Sequence, residues 1–516
     1  MQSRRFAALN AIAPSSLVYI LVLSTTGCGY GDENAARMAW LASSLAEDNF
    51  DLWARDPEGV AEKLAKMSTG PYAFFRGTLG QFVRDVASAG VIESTGLAHA
   101  GDARIMLIGD PHPENIGTYR LPSGVVIFDF NDFDAARFGP WILDVRRMAM
   151  GFVALQAELD HVRPAFLAAA SITATPASRS AVTKEAVPDN ARRWAAIFAR
   201  SYAQALEDLR QAQARSETLD DSRLFGRGAG SGAILEDLLR RAQRDGTQAT
   251  ELETYVESNS PPQLYRGEIE RRSDGRFRED ELLELEGNER RIIELYLEPS
   301  LSRHIVDVAR HLGQGVSSYP LLRYLILLKA STQGDATDLV LLELKEARDP
   351  AALALPMFPS RAFDDNADRI VELQRRLQVS TENDAWLGRA SADKGQRHNA
   401  GLSSSFSFRV GSLTGFQKTL RVRRIQSLID EAQLNAATDV ADLARSAGRL
   451  LAHAHARGRT IDGEPALNVL PHITPDDLEQ EIDAFVDDYG PRLETDFALF
   501  LRLLEEEGPT LGSLPR

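Results

Sequence analysis

One stretch limits what this chain can fold into more than any other, Ile105 to Phe130. An apolar run (Ile105, Met106, Leu107, Ile108) passes through Gly109 into a loop holding Asp110, His112, Glu114 and Asn115. Two extended runs follow, Ile116 to Leu121 and Val125 to Phe128, joined at Pro122-Ser123-Gly124. The first run reads as a buried strand and the other two as a hairpin. Asn115 lies as far before Pro122 as Asp129 lies after it, so the arms carry both side chains to the open end of the hairpin. Asp110 stands five positions before Asn115. Carboxylates and an amide converging on a strand-end loop offer oxygen ligands to a hard divalent cation and a carboxylate to orient a hydroxyl. Gly, Pro, Asp and Asn also fill ordinary surface turns; the spacing sets this one apart.

The chain has 516 residues, 44% hydrophobic and 26% charged, enough for two or three packed units. Its formal charge of −16 argues against nucleic acid or an anionic membrane as the main partner, while leaving room for a local basic groove that takes phosphates. Arg4 and Arg5 precede an apolar run, Leu17 to Leu23, and then Ser24-Thr25-Thr26-Gly27 leads to Cys28. The run is too short to span a bilayer. The stretch resembles a bacterial lipoprotein signal, with Thr25 where that pattern favours Leu. We therefore expect residues 1–27 to be a signal peptide, 28–38 a tether, and the protein to be lipid-anchored in the cell envelope through Cys28. If the signal reading fails, the protein is cytoplasmic and Cys28 is a buried free thiol. With a single cysteine there is no internal disulfide.

Helices are expected over 36–46, 57–67, 78–88, 139–155 and 191–213, with 171–190 a mobile connection. Between the second and third helices, Tyr72, Phe74 and Phe75 surround Arg76, read as core packing with a surface arginine. Ser222 to Ala233 is glycine-rich, but no strand precedes it, so it reads as a flexible linker rather than a phosphate loop. Residues 234–300 read as charged and helical. Ile305 to Lys329 reads as strand, turn with Gly313 and Gly315, strand, and Asp338 to Ala347 as a third strand bearing Lys345. A lysine on an apolar strand after a glycine turn suits an anion: backbone N–H groups approach it and the ammonium neutralises it. A helix over 366–377 carries Glu372, and 405–413 is a further strand. A helix capped by Thr438 or Asp439 runs to Gly458. His453 and His455, two apart, do not share its face, so packing is expected rather than a metal pair. Glu505 to Glu507 reads as a solvated helix end.

GDPHPEN, FDFNDFDAARFGPWILDVRRMA, KMSTGPYAFFRGT, LLELKEA and LLAHAHARG together resemble the bacterial family known as domain of unknown function 2252, from about residue 50 to 460. More remotely, GD-x-H-x-x-N followed by a hydrophobic strand ending in Asp129 is similar to aminoglycoside-phosphotransferase-like kinases. That resemblance implies ATP or another nucleotide with Mg²⁺. Asp110 would be the base or orienter, Asn115 and Asp129 the metal ligands with Asp132 competing, and His112 and Arg76 supporting groups. Lys345, fixed by Glu372, would contact phosphates under the Gly313/Gly315 turn, and Asp144 would brace the catalytic loop. Ser317, Ser318 and Pro320 stand where such turns usually carry further glycines.

Kinases run glycine turn, strand lysine, helix glutamate, catalytic loop, whereas here the catalytic loop comes first. A circular permutation accounts for this order. The expected fold is α+β, two-lobed and protein-kinase-like with permuted lobe order: an N-terminal helical segment (39–100), a catalytic-loop hairpin and helical lobe (101–300), a β-rich nucleotide-binding-like lobe (301–420) and C-terminal helices (421–516). The expected function is Mg²⁺-dependent phosphoryl or nucleotidyl transfer to a small hydroxyl-bearing molecule. The alternatives are a catalytically inactive kinase-like lipoprotein that binds a ligand or protein, and, last, a metallophosphoesterase.

Overall fold

A computed structural model describes residues 30–87, 104–121, 123–170, 187–217, 224–245, 248–257, 261–271, 278–285, 289–297, 304–329, 339–350, 363–379, 386–391, 407–412, 416–511 and 513. The export signal, Cys28 and most of the 171–190 connection lie outside the described residues.

Four helices open the chain: α1 (Tyr30–Arg55), α2 (Pro57–Met67), α3 (Pro71–Gly77) and α4 (Leu79–Ala87). α2 starts where Asp56 accepts a hydrogen bond from Gly59 N (2.9 Å) and Pro57 takes the first helical position. α3, absent from the helices the sequence predicts, also has a proline at its first position, Pro71, but no side chain caps it. Next come β1 (Arg104–Leu107), the hairpin β2 (Ile116–Arg120) and β3 (Val126–Phe130), and β4 (Arg137–Pro140), antiparallel to β1. Two long helices follow, α5 (Ile142–Ala170) and α6 (Asp189–Ala214).

After α7 (Ala233–Asp245) and α8 (Gln248–Tyr255) the chain turns to strands: β5 (Val256–Glu257), β6 (Gln263–Leu264), β7 (Gly267–Arg271) and β8 (Arg278–Leu283), then α9 (Glu289–Tyr296). The expectation that 234–300 is helical is thus corrected. β7 and β8 lie at one edge of the large sheet, where charge on a strand is tolerated and masks the strand pattern. β9 (Ile305–Leu312), β10 (Arg323–Lys329) and β11 (Leu339–Glu346) precede α10 (Asn366–Leu377), β12 (Gly388–Ser391) and β13 (Ser407–Ser412). They form a seven-stranded antiparallel sheet in the order β12-β13-β11-β10-β9-β8-β7. Its two faces are read from β10, with Tyr324, Ile326 and Leu328 in one apolar cluster and Leu325 and Leu327 in another. β14 (Phe416–Thr419) leaves this sheet and joins the early hairpin, giving β14-β2-β3.

The chain ends in α11 (Val422–Asp430), α12 (Ala436–Arg457), α13 (Ala466–Val469) and α14 (Pro475–Glu507). Asn435 caps α12, accepting from Ala437 N (3.0 Å) and Thr438 N (3.3 Å), in place of the expected Thr438 or Asp439. The fold is α+β: the helices and the hairpin share one large core, and the seven-stranded sheet has its own on each face. The 222–233 stretch is not merely a linker, because Phe225 is buried against Phe128 and His453. None of the described helices is long and apolar enough to cross a membrane.

α12 lies close along α6 because Gly448 has no side chain: a Cβ there would stand 2.4 Å from Phe198 O and 2.9 Å from Tyr202 N. Gly448→Ala is expected to force the helices apart and cost about 1–3 kcal/mol, measured by urea unfolding; an unchanged midpoint would contradict the close packing.

Candidate functional site

β1 delivers the chain into the 109–115 loop at Gly109, whose φ of +85° and close approach to Ala135 O (2.0 Å from an added Cβ) admit only glycine. Asp144, in the first turn of α5, accepts from Ile108 N (2.7 Å) and Gly109 N (3.0 Å). Its Oδ2 also meets His455 Nε2 at 3.1 Å, and His455 Nδ1 meets the Tyr202 hydroxyl at 2.7 Å. A carboxylate only accepts, so Nε2 carries the hydrogen that faces Asp144. Asp144 therefore braces the loop from beneath, and His455 is its buried support.

Asp110 Oδ1 accepts from Arg147 Nε (2.7 Å), and that guanidinium lies over the Phe75 ring at 3.6 Å. Burial raises the pKa of Asp110 and Arg147 opposes the rise. His112 is buried with Nδ1 3.5 Å from the Tyr72 hydroxyl and Nε2 3.9 Å from Asp110 Oδ2. Burial, then Arg76 and Arg147, hold its pKa well below the ordinary value, so it is neutral. Arg76 faces the site rather than bulk solvent, donating to Glu114 Oε2 (2.6 Å), whose other oxygen accepts from Val422 N (2.7 Å).

Asn115 clasps two loops together. Its amide donates to Asp110 O and Asp132 O (both 3.0 Å), and its oxygen accepts from Asp132 N (2.7 Å) and Asn131 N (3.3 Å). Asp129 is not brought to this group. It lies within β3, where its carboxylate accepts from Phe130 N and Val379 N (both 2.7 Å) and is buried away from the cavity. The competing expectation, Asp132, does line the cavity, and Asp134 joins it.

That cavity, about 510 Å³, also receives Asp110, His112, Asn115 and Lys345. Lys345 Nζ is 2.5 Å from Asp134 Oδ2 and 3.5 Å from Asp132 Oδ1. Asp132 is the more open carboxylate (45% exposed against 13%). Burial opposes its ionisation, but Lys345, the Asp134 N–H and Arg323 outweigh that and hold its pKa low. Burial and repulsion from Asp132 push Asp134 the other way.

Strand register adds groups the sequence reading missed. Arg323 on β10 and Arg409 on β13 both pair with Lys345 on β11, so three cations stand in a row across adjacent strands. Glu343, on the same face, takes Arg323 Nη1 at 2.8 Å. Burial opposes its charge, yet Arg323 and Lys345 lower its pKa to about 2.

Glu372 does not fix Lys345: it sits beside Arg376 at 3.5 Å, half exposed, and does not line the cavity. Arg369 instead donates to Asp134 O (2.8 Å) and to Ala136 O. Gly313 (φ +88°) and Gly315 (φ +81°) form the expected turn, and Gly315 lines the cavity. The turn's carbonyls at Gly313 and Gly315 accept from Lys66 Nζ at 2.8 and 3.1 Å. Among the described residues around the cavity, nine are Lys or Arg and six are Asp or Glu. This reverses the whole chain's 58 against 74. Among the described residues no group of three or more His, Cys, Asp or Glu is arranged to hold a metal ion.

The chain matches, over residues 55–503, the family described as uncharacterized protein conserved in bacteria (DUF2252), and belongs to it. No curated protein and no solved structure matches.

Two outcomes follow from this geometry. Asp144→Ala strands two buried N–H groups and the His455 imidazole, and is expected to cost about 3–5 kcal/mol in chemical denaturation; a loss under about 1 kcal/mol would show that the loop stands without it. His112 has a depressed pKa, so its contribution is present above about pH 6.5 and is lost as pH falls below that value. Wild-type stability should drop by up to about 1.4 kcal/mol per pH unit from this group, and His112→Gln should flatten the slope. Parallel slopes for the two proteins would rule the contribution out.

Proposed function

We propose that this DUF2252 protein is a Mg²⁺-dependent phosphotransferase acting on a small hydroxyl-bearing substrate. The single observation that supports this most is the meeting of Lys345 with Asp132 and Asp134 in the cavity that also holds Asp110, although Lys345 and Asp110 lie far apart in sequence. The order glycine turn, lysine strand, helix, seen in β9 to α10, is that of the kinases the chain resembles, displaced to follow the loop.

Each group then has a role. Arg323, Lys345 and Arg409 would neutralise the phosphates of a nucleotide, with the Gly315 to Ser318 turn along one wall. Asp110, its pKa raised by burial, would orient the acceptor hydroxyl and take its proton. Arg147 holds that carboxylate still. Asp132 and Asp134 fit a hard cation as oxygen donors, and Mg²⁺ commonly binds through one or two carboxylates with substrate phosphates completing its shell. The metal would supply charge neutralisation at the transferring group. Asn115, whose oxygen already accepts two N–H groups, serves here to hold the Asp110 and Asp132 loops in register.

The envelope location expected from residues 1–28 belongs to the same proposal, with the phosphate donor left open because ATP is scarce outside the cytoplasm. Mass analysis of Cys28 in fractionated cells tests it.

A thermal-shift screen against nucleotides with and without Mg²⁺ or Mn²⁺ tests the activity reading. A metal-dependent rise is expected, since a ligand at 100 times its Kd adds about 2.7 kcal/mol. Lys345→Met should weaken it, while Asp110→Asn should keep binding and lose turnover by at least about 10²-fold. Metal-dependent binding without turnover in the wild type would leave the inactive, ligand-binding alternative; no nucleotide binding at all would remove the reading.

A further inference from the structure

Beyond the phosphate-facing row on the sheet, a second basic zone lines the Asp110 side of the cavity. It is organised by two carboxylates that are each divided among several guanidiniums. Glu114 takes Arg76 (2.6 Å) and Arg421 (3.8 Å). Asp237 on α7 takes Arg241 (3.0 Å), Arg240 and Arg424 (both 3.3 Å). The run Arg421-Val422-Arg423-Arg424 at the start of α11 spans the two, with Val422 N tied to Glu114.

Five guanidiniums thus meet at two carboxylates, more than one at each. Arg76, Arg241, Arg421 and Arg423 line the cavity, and Arg421 and Arg423 are exposed there. Arg76 and Arg421 are among the charges that disfavour protonation of His112, and Arg76 also acts on Asp110 and Asp132. The zone therefore faces the Asp110 loop as well as the acidic turn, whereas Arg323 and Lys345 act on Glu343 and Asp132. A chain with 74 acidic residues has carboxylates to spare, yet these arginines are concentrated on the cavity wall.

We infer that this zone binds an oxyanion carried by the acceptor. The substrate is then a hydroxyl compound that already bears a phosphate or carboxylate, held with its hydroxyl toward Asp110. Planar guanidiniums suit both oxyanions, through paired charge-assisted hydrogen bonds. The inference rests on the phosphotransferase reading for the word acceptor; the anion site itself does not.

The test is calorimetric titration of the full chain, with a non-hydrolysable ATP analogue and Mg²⁺, using matched pairs: glycerol against glycerol 3-phosphate, and glucose against glucose 6-phosphate and glucuronate. The anionic member of each pair should bind at least about tenfold tighter. Glucose 6-phosphate against glucuronate tells which oxyanion is preferred. Arg421→Gln with Arg423→Gln should erase the preference, and Arg421→Lys with Arg423→Lys should retain part of it. The nucleotide-dependent thermal shift should be equal in all three proteins, which shows that they are folded. Equal binding of neutral and anionic members, or a preference that survives loss of both arginines, overturns the inference. An anion preference without any nucleotide binding supports the anion site and overturns the phosphotransferase reading.

Discussion

The site depends first on one buried carboxylate. Asp144 holds the two N–H groups at the point where β1 becomes a loop, and its other contact, His455, comes from the far end of α12 and leans on Tyr202 of α6. In a medium of low dielectric such a network is strong when complete and costly when broken. It fixes the 109–115 loop to three long helices at once, so Asp110 and His112 project from a rigid floor. Arg147, one turn along α5 from Asp144, then holds the Asp110 side chain itself. Floor and side chain are thus positioned by the same helix.

The second constraint is electrostatic. Like charges directly opposite on neighbouring strands repel, and Arg323, Lys345 and Arg409 are so placed. Glu343 and the two aspartates of the 131–136 turn compensate them. That turn is held from the other side by Arg369 of α10 and, through Asn115, by the 109–115 loop. The acidic turn and the cationic sheet therefore keep each other in place. On the proposed function, an anionic ligand entering between them would compete with the aspartates for Lys345.

Much of this was legible from the sequence, for identifiable reasons. The strand, glycine and hairpin from Ile105 to Phe130 are local, and glycine at a positive φ with an apolar run before it leaves a clear trace. Lys345 stood out as a lysine on an apolar strand after a glycine turn, and Asp144 only through the resemblance of its motif to the kinases. Asp129 misled because symmetry about the Pro122 turn counts residues but not the strand's two faces: Asp129 still lies inside β3 and points away, while Asp132, just past the strand end, reaches the cavity. Glu372 misled because, although it is one turn from Arg369 on α10, it stays half exposed beside Arg376, and Arg369 is the residue that reaches the 131–136 turn. Arg323 and Arg409 were not legible, since their alignment with Lys345 is a matter of inter-strand register, which no single segment contains. The signal that was present is an arginine at the start of one apolar strand and another midway along a second.

The N-terminal helices complete the enclosure. Lys66 of α2 donates to the carbonyls of Gly313 and Gly315, and its ammonium lies 4.5 Å from the centre of the Tyr319 ring, whose hydroxyl donates to Glu62. Arg55 of α1 grips Glu346 at the end of β11, and Arg348 reaches back to Asp51. A turn with two residues at positive φ has much conformational freedom to lose on ordering. Anchoring its carbonyls to a helix removes that freedom before any ligand arrives, so less of the ligand's binding energy is spent on ordering the turn. The same helices contribute Asp48, Lys63 and Arg76 to the cavity wall. A segment that precedes the 109–115 loop in the chain thus closes the pocket around the glycine turn that lies far downstream of it.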